Sequence, residues 1–314
     1  MSLLDRFRNK DRRALSRIIS YVENRKDSYQ EALANLYPDA GNAYKIGLTG
    51  PPGVGKSTLV DRLSENFLQN GGKVGIIAVD PSSPFTGGAF LGDRIRMQRL
   101  VGNEDVFIRS MATRGSSGGL AQATKDVSLV YDAFGFDYIL IETVGVGQVE
   151  LDIVDASDSV VVVIVPESGD VIQAMKAGLM EIANIFCINK SDREGADRVL
   201  SELNHLLQIQ RSKSEWSFPV IPTAAVNNEG IDQLAKAIMQ HREYLLESDL
   251  FKIHRKQQIR KDIISYLRMM LTGNIEKKLK SADSFDNLLE DIYNGKADPI
   301  TTAIDIYNKH YSRT

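Results

Sequence analysis

The stretch Gly50-Pro51-Pro52-Gly53-Val54-Gly55-Lys56-Ser57 constrains this chain more than any other, because it joins a short apolar run to a segment of helical period. Ile46 to Thr49 before it reads as a strand. Leu59, Val60, Leu63 and Phe67 after it recur at helical spacing until Gly71-Gly72 supplies a stop. Two glycines with four residues between them, followed by lysine and a hydroxyl residue, make a loop whose backbone N–H groups can turn inward on phosphate oxygens. In that pattern Lys56 reaches the terminal phosphates as a point charge and Ser57 offers its hydroxyl to magnesium. The helix that takes up Thr58 presents its positive end to the anion.

The rest of the middle repeats this alternation. Apolar runs rich in branched residues lie near Val74 to Val79, Val106 to Ser110, Tyr138 to Thr143, Val160 to Val165, Ile185 to Asn189 and Val220 to Thr223, with helix-period segments between them. The fold class that follows is α/β, a mostly parallel sheet flanked by helices of the P-loop NTPase type, with helical N- and C-terminal extensions. Residues 1–42 read as an N-terminal helical extension, 43–242 as the nucleotide domain and 243–314 as a C-terminal helical segment. The C-terminal stripe from Leu245 to Leu271 must be buried somewhere. It either folds back on its own domain or pairs with a second copy of the chain.

Right-handed crossovers gather the carboxyl ends of parallel strands on one edge, and ligands bind there. Glu142 ends one strand and is the main candidate for holding Mg2+, which takes oxygen ligands and keeps few protein contacts. Gly145 just beyond is spaced for its N–H to meet a γ-phosphate, and Gln148 is placed to orient an attacking water. Asp80 ends another strand and reads as a metal or water ligand. Asp93 reads either as a ligand or as a helix cap. Arg114 reads as an exposed loop arginine, with stabilisation of a transferred phosphoryl group as the alternative.

Asn189-Lys190-Ser191-Asp192 follows the sixth run and has the asparagine-lysine-any-aspartate form that reads guanine. The Asp192 carboxylate is a double acceptor that matches the ring N–H and exocyclic amine of guanine, whereas adenine presents a lone pair there. The stem of Lys190 can cover the base and Asn189 can tie this loop to the phosphate loop. A backbone N–H from Thr223, Ala224 or Ala225 can meet the guanine oxygen. The expected cofactors are GTP or GDP and Mg2+, and the expected chemistry is hydrolysis, with Lys56 and Gln148 as the catalytic candidates. A phosphotransferase, a kinase of a protein or an amino acid, is the alternative use of the same loop.

Composition removes other classes. A net charge of -3 argues against a nucleic-acid partner, and a lone cysteine, Cys187, forms no intramolecular disulfide or zinc cluster. No apolar stretch approaches the ~20 residues that span a bilayer, so a cytoplasmic location is expected and no membrane partner. The basic residues Arg6, Arg8, Lys10, Arg12, Arg13 and Arg17 are interrupted by Asp5 and Asp11, which favours a solvated helix face over a targeting segment. His205, His241, His254 and His310 are scattered and read as surface or packing residues.

Taken in order, Gly50 to Thr58, Val79 to Pro84, Leu91 to Arg94, Thr113 to Gly115, Glu142 to Gln148 and Asn189 to Asp192 resemble the MeaB/ArgK-type GTPases. The resemblance implies a homodimeric chaperone of an adenosylcobalamin-dependent acyl-CoA mutase such as methylmalonyl-CoA mutase. Such a protein gates cofactor delivery and helps remove damaged cofactor, with GTP hydrolysis as the timer. It implies a magnesium neighbourhood of Ser57, Asp80, Asp93 and Glu142. It also implies that the segment around Gly169, Asp170, Gln173 and Lys176 reports nucleotide state to the mutase.

Overall fold

The computed structural model describes residues 1–26, 28–81, 98–100, 102–113, 119–143, 149–166, 178–210, 215–280 and 284–311. Seven strands form one parallel sheet: β1 Tyr44–Thr49, β2 Val74–Pro81, β3 Val106–Thr113, β4 Tyr138–Glu142, β5 Ser159–Ile164, β6 Ile185–Asn189 and β7 Val220–Thr223. Branched runs buried on both faces make such strands, and β5 and β6 are buried at every position. Their order is β3-β2-β4-β1-β5-β6-β7, so the chain leaves β1 toward one edge and later returns to fill the other. The loop after β1 therefore sits at the switch point, where open sheets of this kind place ligands. β2 and β3 run further than the sequence suggested, because they pair without a break from Val74 opposite Val106 to Pro81 opposite Thr113.

On one face, α4 (Lys56–Gln69) and α9 (Ile231–Glu247) cover β1, β4, β5 and β6 through Leu59, Leu63, Leu234 and Ile238. The other face is shared by two clusters. One gathers α6 (Val149–Ala156), α7 (Leu179–Ile182) and α8 (Ala196–Gln210) around Phe186 and Ile188. The second gathers α5 (Gly119–Phe134) with α1 (Leu3–Arg8), α2 (Arg12–Glu23) and α3 (Tyr29–Leu36). In α2, Leu15, Ile18, Ile19 and Val22 share one helix face, and all are buried. Asp11 caps that helix by accepting from the N–H groups of Arg13 and Ala14.

The basic N-terminal residues are not simply a solvated face. Lys10 Nζ donates to the Phe134 carbonyl and Arg12 to the carbonyls of Glu104 and Val106, while Arg8 pairs with Asp39. Arg13 and Arg17 are exposed, as expected of the whole set. Carbonyls left over at element ends want donors, and long cationic side chains reach them while covering apolar surface with their stems.

At the amino edge of the sheet, α10 (Leu250–Lys280) begins with two anchors. Arg255 makes a bidentate pair with Asp158, Nε to Oδ1 and Nη2 to Oδ2 both at 2.6 Å, and Gln258 donates to the Ser157 carbonyl. Nearby, the Tyr44 hydroxyl and Nδ1 of His241 both lie on Ser159 Oγ. Of the two alternatives read for the histidines, surface or packing, His241 is a packing residue, and burial, with the neighbouring His254 as a smaller influence, holds its imidazole down to about 4.

The described chain divides into two compact units, Met1–Gln258 and Ile259–Thr314. The second consists of the remainder of α10, α11 (Ser284–Tyr293) and α12 (Pro299–Tyr311). It leaves Ile259, Ile263, Leu267 and Leu271 of α10 exposed at intervals of one helical turn.

Candidate nucleotide and metal site

The phosphate loop needs glycine for two different reasons. Gly50, at φ +139°, lies so close to β5 that an added Cβ would come within 2.1 Å of the Val163 carbonyl oxygen. Gly55, at φ +94°, would drive a Cβ to 2.4 Å from Nδ2 of Asn189, so this glycine is required by the base loop as well as by its own backbone. Pro51, Pro52, Gly53 and Val54 complete the turn, and Val54 is buried in the core. Lys56 Nζ is drawn into the loop by the carbonyls of Gly50, at 2.7 Å, and Pro51, at 2.9 Å. Ser57 and Thr58 follow in the first turn of α4.

β4 pairs with both β1 and β2, which fixes Glu142 opposite Leu48 and Ala78. From there its Oε1 accepts a 2.7 Å hydrogen bond from Ser57 Oγ, although the two residues lie far apart in sequence. Two side-chain oxygens thus meet at the start of α4. Asp80 lies in register with Ala112 near the carboxyl end of β2. Its side chain, together with Asp93, Gly145, Gln148, Arg114, Gly169, Asp170, Gln173 and Lys176, lies outside the described residues.

Asn189 joins three segments. Its Nδ2 donates to the Val54 carbonyl at 2.7 Å, and its Oδ1 accepts from Thr223 Oγ1 at 3.1 Å and from Ala225 N–H at 3.2 Å. Lys190, at φ +58°, donates its Nζ to the Gly53 carbonyl at 2.9 Å, a second tie to the phosphate loop. Asp192 is exposed at the following turn, which closes through Arg193 N–H on the Lys190 carbonyl. Of the two alanines after β7, Ala224 donates its N–H to the Glu229 carbonyl, so the N–H that faces Asn189 is that of Ala225. Under this loop Cys187 is fully buried, its thiol pushed up to about 12 by burial, with Sγ 3.2 Å from Thr223 Oγ1.

Sequence reasoning missed Arg62. Its guanidinium reaches across from α4 to the carbonyls of Ala225 and Val226, at 3.1 and 3.2 Å. Its pair with Glu65, at 2.9 Å, follows helical spacing, but no spacing rule marks the two backbone oxygens far along the chain.

Residues 15–284 match the family model described as Methylmalonyl Co-A mutase-associated GTPase MeaB. This chain belongs to the MeaB family of GTPases. A Pyrococcus abyssi protein that carries a GTPase name is 49% identical across 96% of this chain and 94% of its own length. The GTPase ArgK of Escherichia coli is 33% identical across 90% of this chain and 86% of its own. The crystal structure of a protein named LAO/AO transport system kinase superposes with a TM-score of 0.70 at 28% identity, covering 98% of this chain and 95% of the other. Membership of the family makes the chain a P-loop GTPase that binds guanine nucleotide. Among the described residues, no helix is long and apolar enough to cross a membrane.

Proposed function

We propose that this GTPase serves an adenosylcobalamin-dependent acyl-CoA mutase such as methylmalonyl-CoA mutase, gating cofactor delivery and helping to remove damaged cofactor while GTP hydrolysis sets the timing. The observation that carries the nucleotide part is the Asn189 carboxamide, which bonds the phosphate loop and the loop after β7 at once. The family description, which names that mutase, supports the client.

The oxygen set fits Mg2+. Ser57 Oγ and Glu142 Oε1, 2.7 Å apart, are hard donors of the kind it takes beside phosphate oxygens, and Asp80 and Asp93 add acids to the same proposal. When bound, the ion neutralises charge on the phosphates. The chain's own residues do the rest. Backbone N–H groups from Gly50 to Thr58 bind phosphate, and Lys56 adds a fixed positive charge. Gly145 senses the γ-phosphate and Gln148 orients water. Asp192 accepts from guanine and Lys190 covers it, beside the Thr223, Ala224 and Ala225 turn that Asn189 holds in place.

We also propose a homodimer, because the Ile259, Ile263, Leu267 and Leu271 stripe is the kind of repeating apolar face that a second copy buries. Sedimentation of Ile263→Asp/Leu267→Asp is expected to show monomer where the parent chain shows dimer. A dimer that survives both charges would remove this stripe as the interface.

The decisive experiment measures phosphate release from GTP and from ATP, with and without an adenosylcobalamin-dependent acyl-CoA mutase. Release selective for GTP and altered by the mutase is expected. Selective release that ignores every such mutase would sink the client assignment and leave the GTPase standing. The kinase name carried by the solved relative favours a second reading, phosphoryl transfer to an acceptor other than water. Label from the γ-phosphate found on a protein or an amino acid, instead of in free phosphate, would decide for it.

A further inference from the structure

The basic run near the N-terminus divides into cations that hold the fold and cations that do not. Arg6 pairs with Asp11, Arg8 with Asp39, Lys10 with the Phe134 carbonyl and Arg12 with the carbonyls of Glu104 and Val106. Among the described residues, the side chains of Arg13, Arg17 and Lys26 meet no carboxylate or carbonyl, and all three are exposed. Arg13 and Arg17 stand one helical turn apart, a like-charge pair that by itself disfavours the helix.

These cations border one surface. Because α2 turns Leu15, Ile18, Ile19 and Val22 inward, Arg13, Ser16, Arg17 and Ser20 face outward. A groove of about 510 Å3 crosses that side, and its walls include Leu3, Ser16, Arg17, Ser20, Tyr21 and Lys26. Among the described residues no acid lines it. Glu23, the one carboxylate of α2, is taken by Arg109 of β3, whose Nε donates to it at 2.9 Å. Its side chain is only 11% exposed, so it neutralises nothing in the groove.

An acid complements such a surface, and the dimensions point to a short stretch of chain. Ser16 to Asn24 covers about 12 Å of helix axis, the length of about four extended residues. Two or three carboxylates in such a stretch can meet Arg13, Arg17 and Lys26, beside the hydroxyls of Ser16 and Ser20 and the half-exposed Leu3. The whole chain carries a net charge of -3, so an acidic partner is not drawn to it at large, and a local cationic face sets how it approaches. We propose that the outer face of α2 docks an acidic segment of the client protein. The proposal rests on the client reading given above and adds the place of contact. Arg12, beside Arg13, holds the start of β3, so this face lies toward the amino edge of the sheet, away from the phosphate loop at the carboxyl edge.

Interferometry on the full chain with purified adenosylcobalamin-dependent acyl-CoA mutases, methylmalonyl-CoA mutase first, tests the contact at about 50 and 300 mM salt. The parent chain is expected to bind more weakly at the higher salt. Arg13→Glu/Arg17→Glu/Lys26→Glu should weaken binding about ten- to a hundredfold at the lower salt, since three attractions become three repulsions, and should no longer weaken as salt rises. Arg13→Gln/Arg17→Gln/Lys26→Gln should fall between the two, with GDP affinity unchanged in both variants as the sign of an intact fold. Lys73→Glu/Arg198→Glu/Lys236→Glu makes the same charge change at exposed positions elsewhere and should keep most of the affinity. Parent-like binding by the first variant, an equal loss in the last, or parent binding that ignores salt would overturn the proposal. So would anionic vesicles that bind the parent chain and release the first variant while the mutase stays bound, which would assign the face to a lipid surface. A parent chain that binds no such mutase would instead overturn the client reading, and this occupant with it.

Discussion

Replacing Asn189 by aspartate changes one donor into an acceptor at the junction of the phosphate and guanine loops. Asn189 is 3% exposed, so the new carboxylate has little access to water. The bonds from Thr223 Oγ1 and Ala225 N–H survive, but the 2.7 Å contact from Nδ2 to the Val54 carbonyl becomes a meeting of two oxygens. Orphaning that carbonyl costs about 1–3 kcal/mol, and burying the charge adds a few kcal/mol more, partly offset by the two charge-assisted bonds that remain. A net loss of about 3.5 kcal/mol at pH 7.5 results. The variant can recover by binding a proton, since a neutral carboxyl donates to Val54 as the amide did. At about 1.4 kcal/mol per pH unit, that loss corresponds to a folded-state pKa raised about 2.5 units above an ordinary aspartate, to ~6.4. An acid with a raised folded pKa destabilises fully above that value and progressively less as pH falls toward its unfolded value. Urea unfolding at pH 7.5 and pH 5.0 should show the gap from the parent chain shrinking by about 2 kcal/mol at the lower pH. Asn189→Ala serves as a comparator whose penalty does not shrink. A variant within ~1 kcal/mol of the parent at pH 7.5, or a gap unchanged at pH 5.0, would refute the reasoning.

His241 moves the parent chain itself with pH. Its folded value, down to about 4 against an ordinary 6.5, means that stability is lost as pH falls from 6.5 toward 4, by up to about 1.4 kcal/mol per unit. His241→Asn should flatten that slope in a series of urea midpoints, and an unchanged slope would place the proton uptake elsewhere. Gly50→Ala adds a Cβ 2.1 Å from the Val163 carbonyl in a left-handed backbone and should cost at least ~3 kcal/mol. Gly53→Ala, at φ +80° with nothing within 4 Å, should cost only ~1–2 kcal/mol, and equal costs in chemical unfolding would contradict the contact argument. Arg255→Met strands the fully buried Asp158 carboxylate and should cost about 3–5 kcal/mol, most of it recovered in Arg255→Met/Asp158→Asn. A double variant no better than the single one in a double-mutant cycle would show that the pair is not coupled.

The seven strands were legible because each is a run of branched or apolar residues that must be buried on both faces, and the phosphate loop because glycine, lysine and serine have few other reasons to occur at that spacing. Asn189 was legible from the pattern that follows β6. Arg62, Lys10 and Arg12 were not. Their long-range partners are carbonyl oxygens, which every residue carries, so no side-chain pattern distinguishes the ones they choose. The charge run near the N-terminus shows the cost of counting only side-chain partners: a segment read as solvated contains cations that clamp α1 and α2 to the α5 and β3 region. Asp61 on α4 is a further case, a carboxylate 7% exposed, with its pKa raised first by burial and then by Glu65, in a helix whose sequence gives no sign of it.

The approach of Gly55 to Nδ2 of Asn189 has a consequence for exchanging parts between relatives. Two segments far apart in the sequence share one small volume, filled on one side by a missing side chain and on the other by a carboxamide. A chimera that imports a phosphate loop with a larger residue at position 55, or a base loop with a bulkier one at 189, inherits a collision from each parent's separately sound design. Such segments are safest transplanted as a pair, and independent drift at either position is closed off even where nucleotide chemistry alone would allow it.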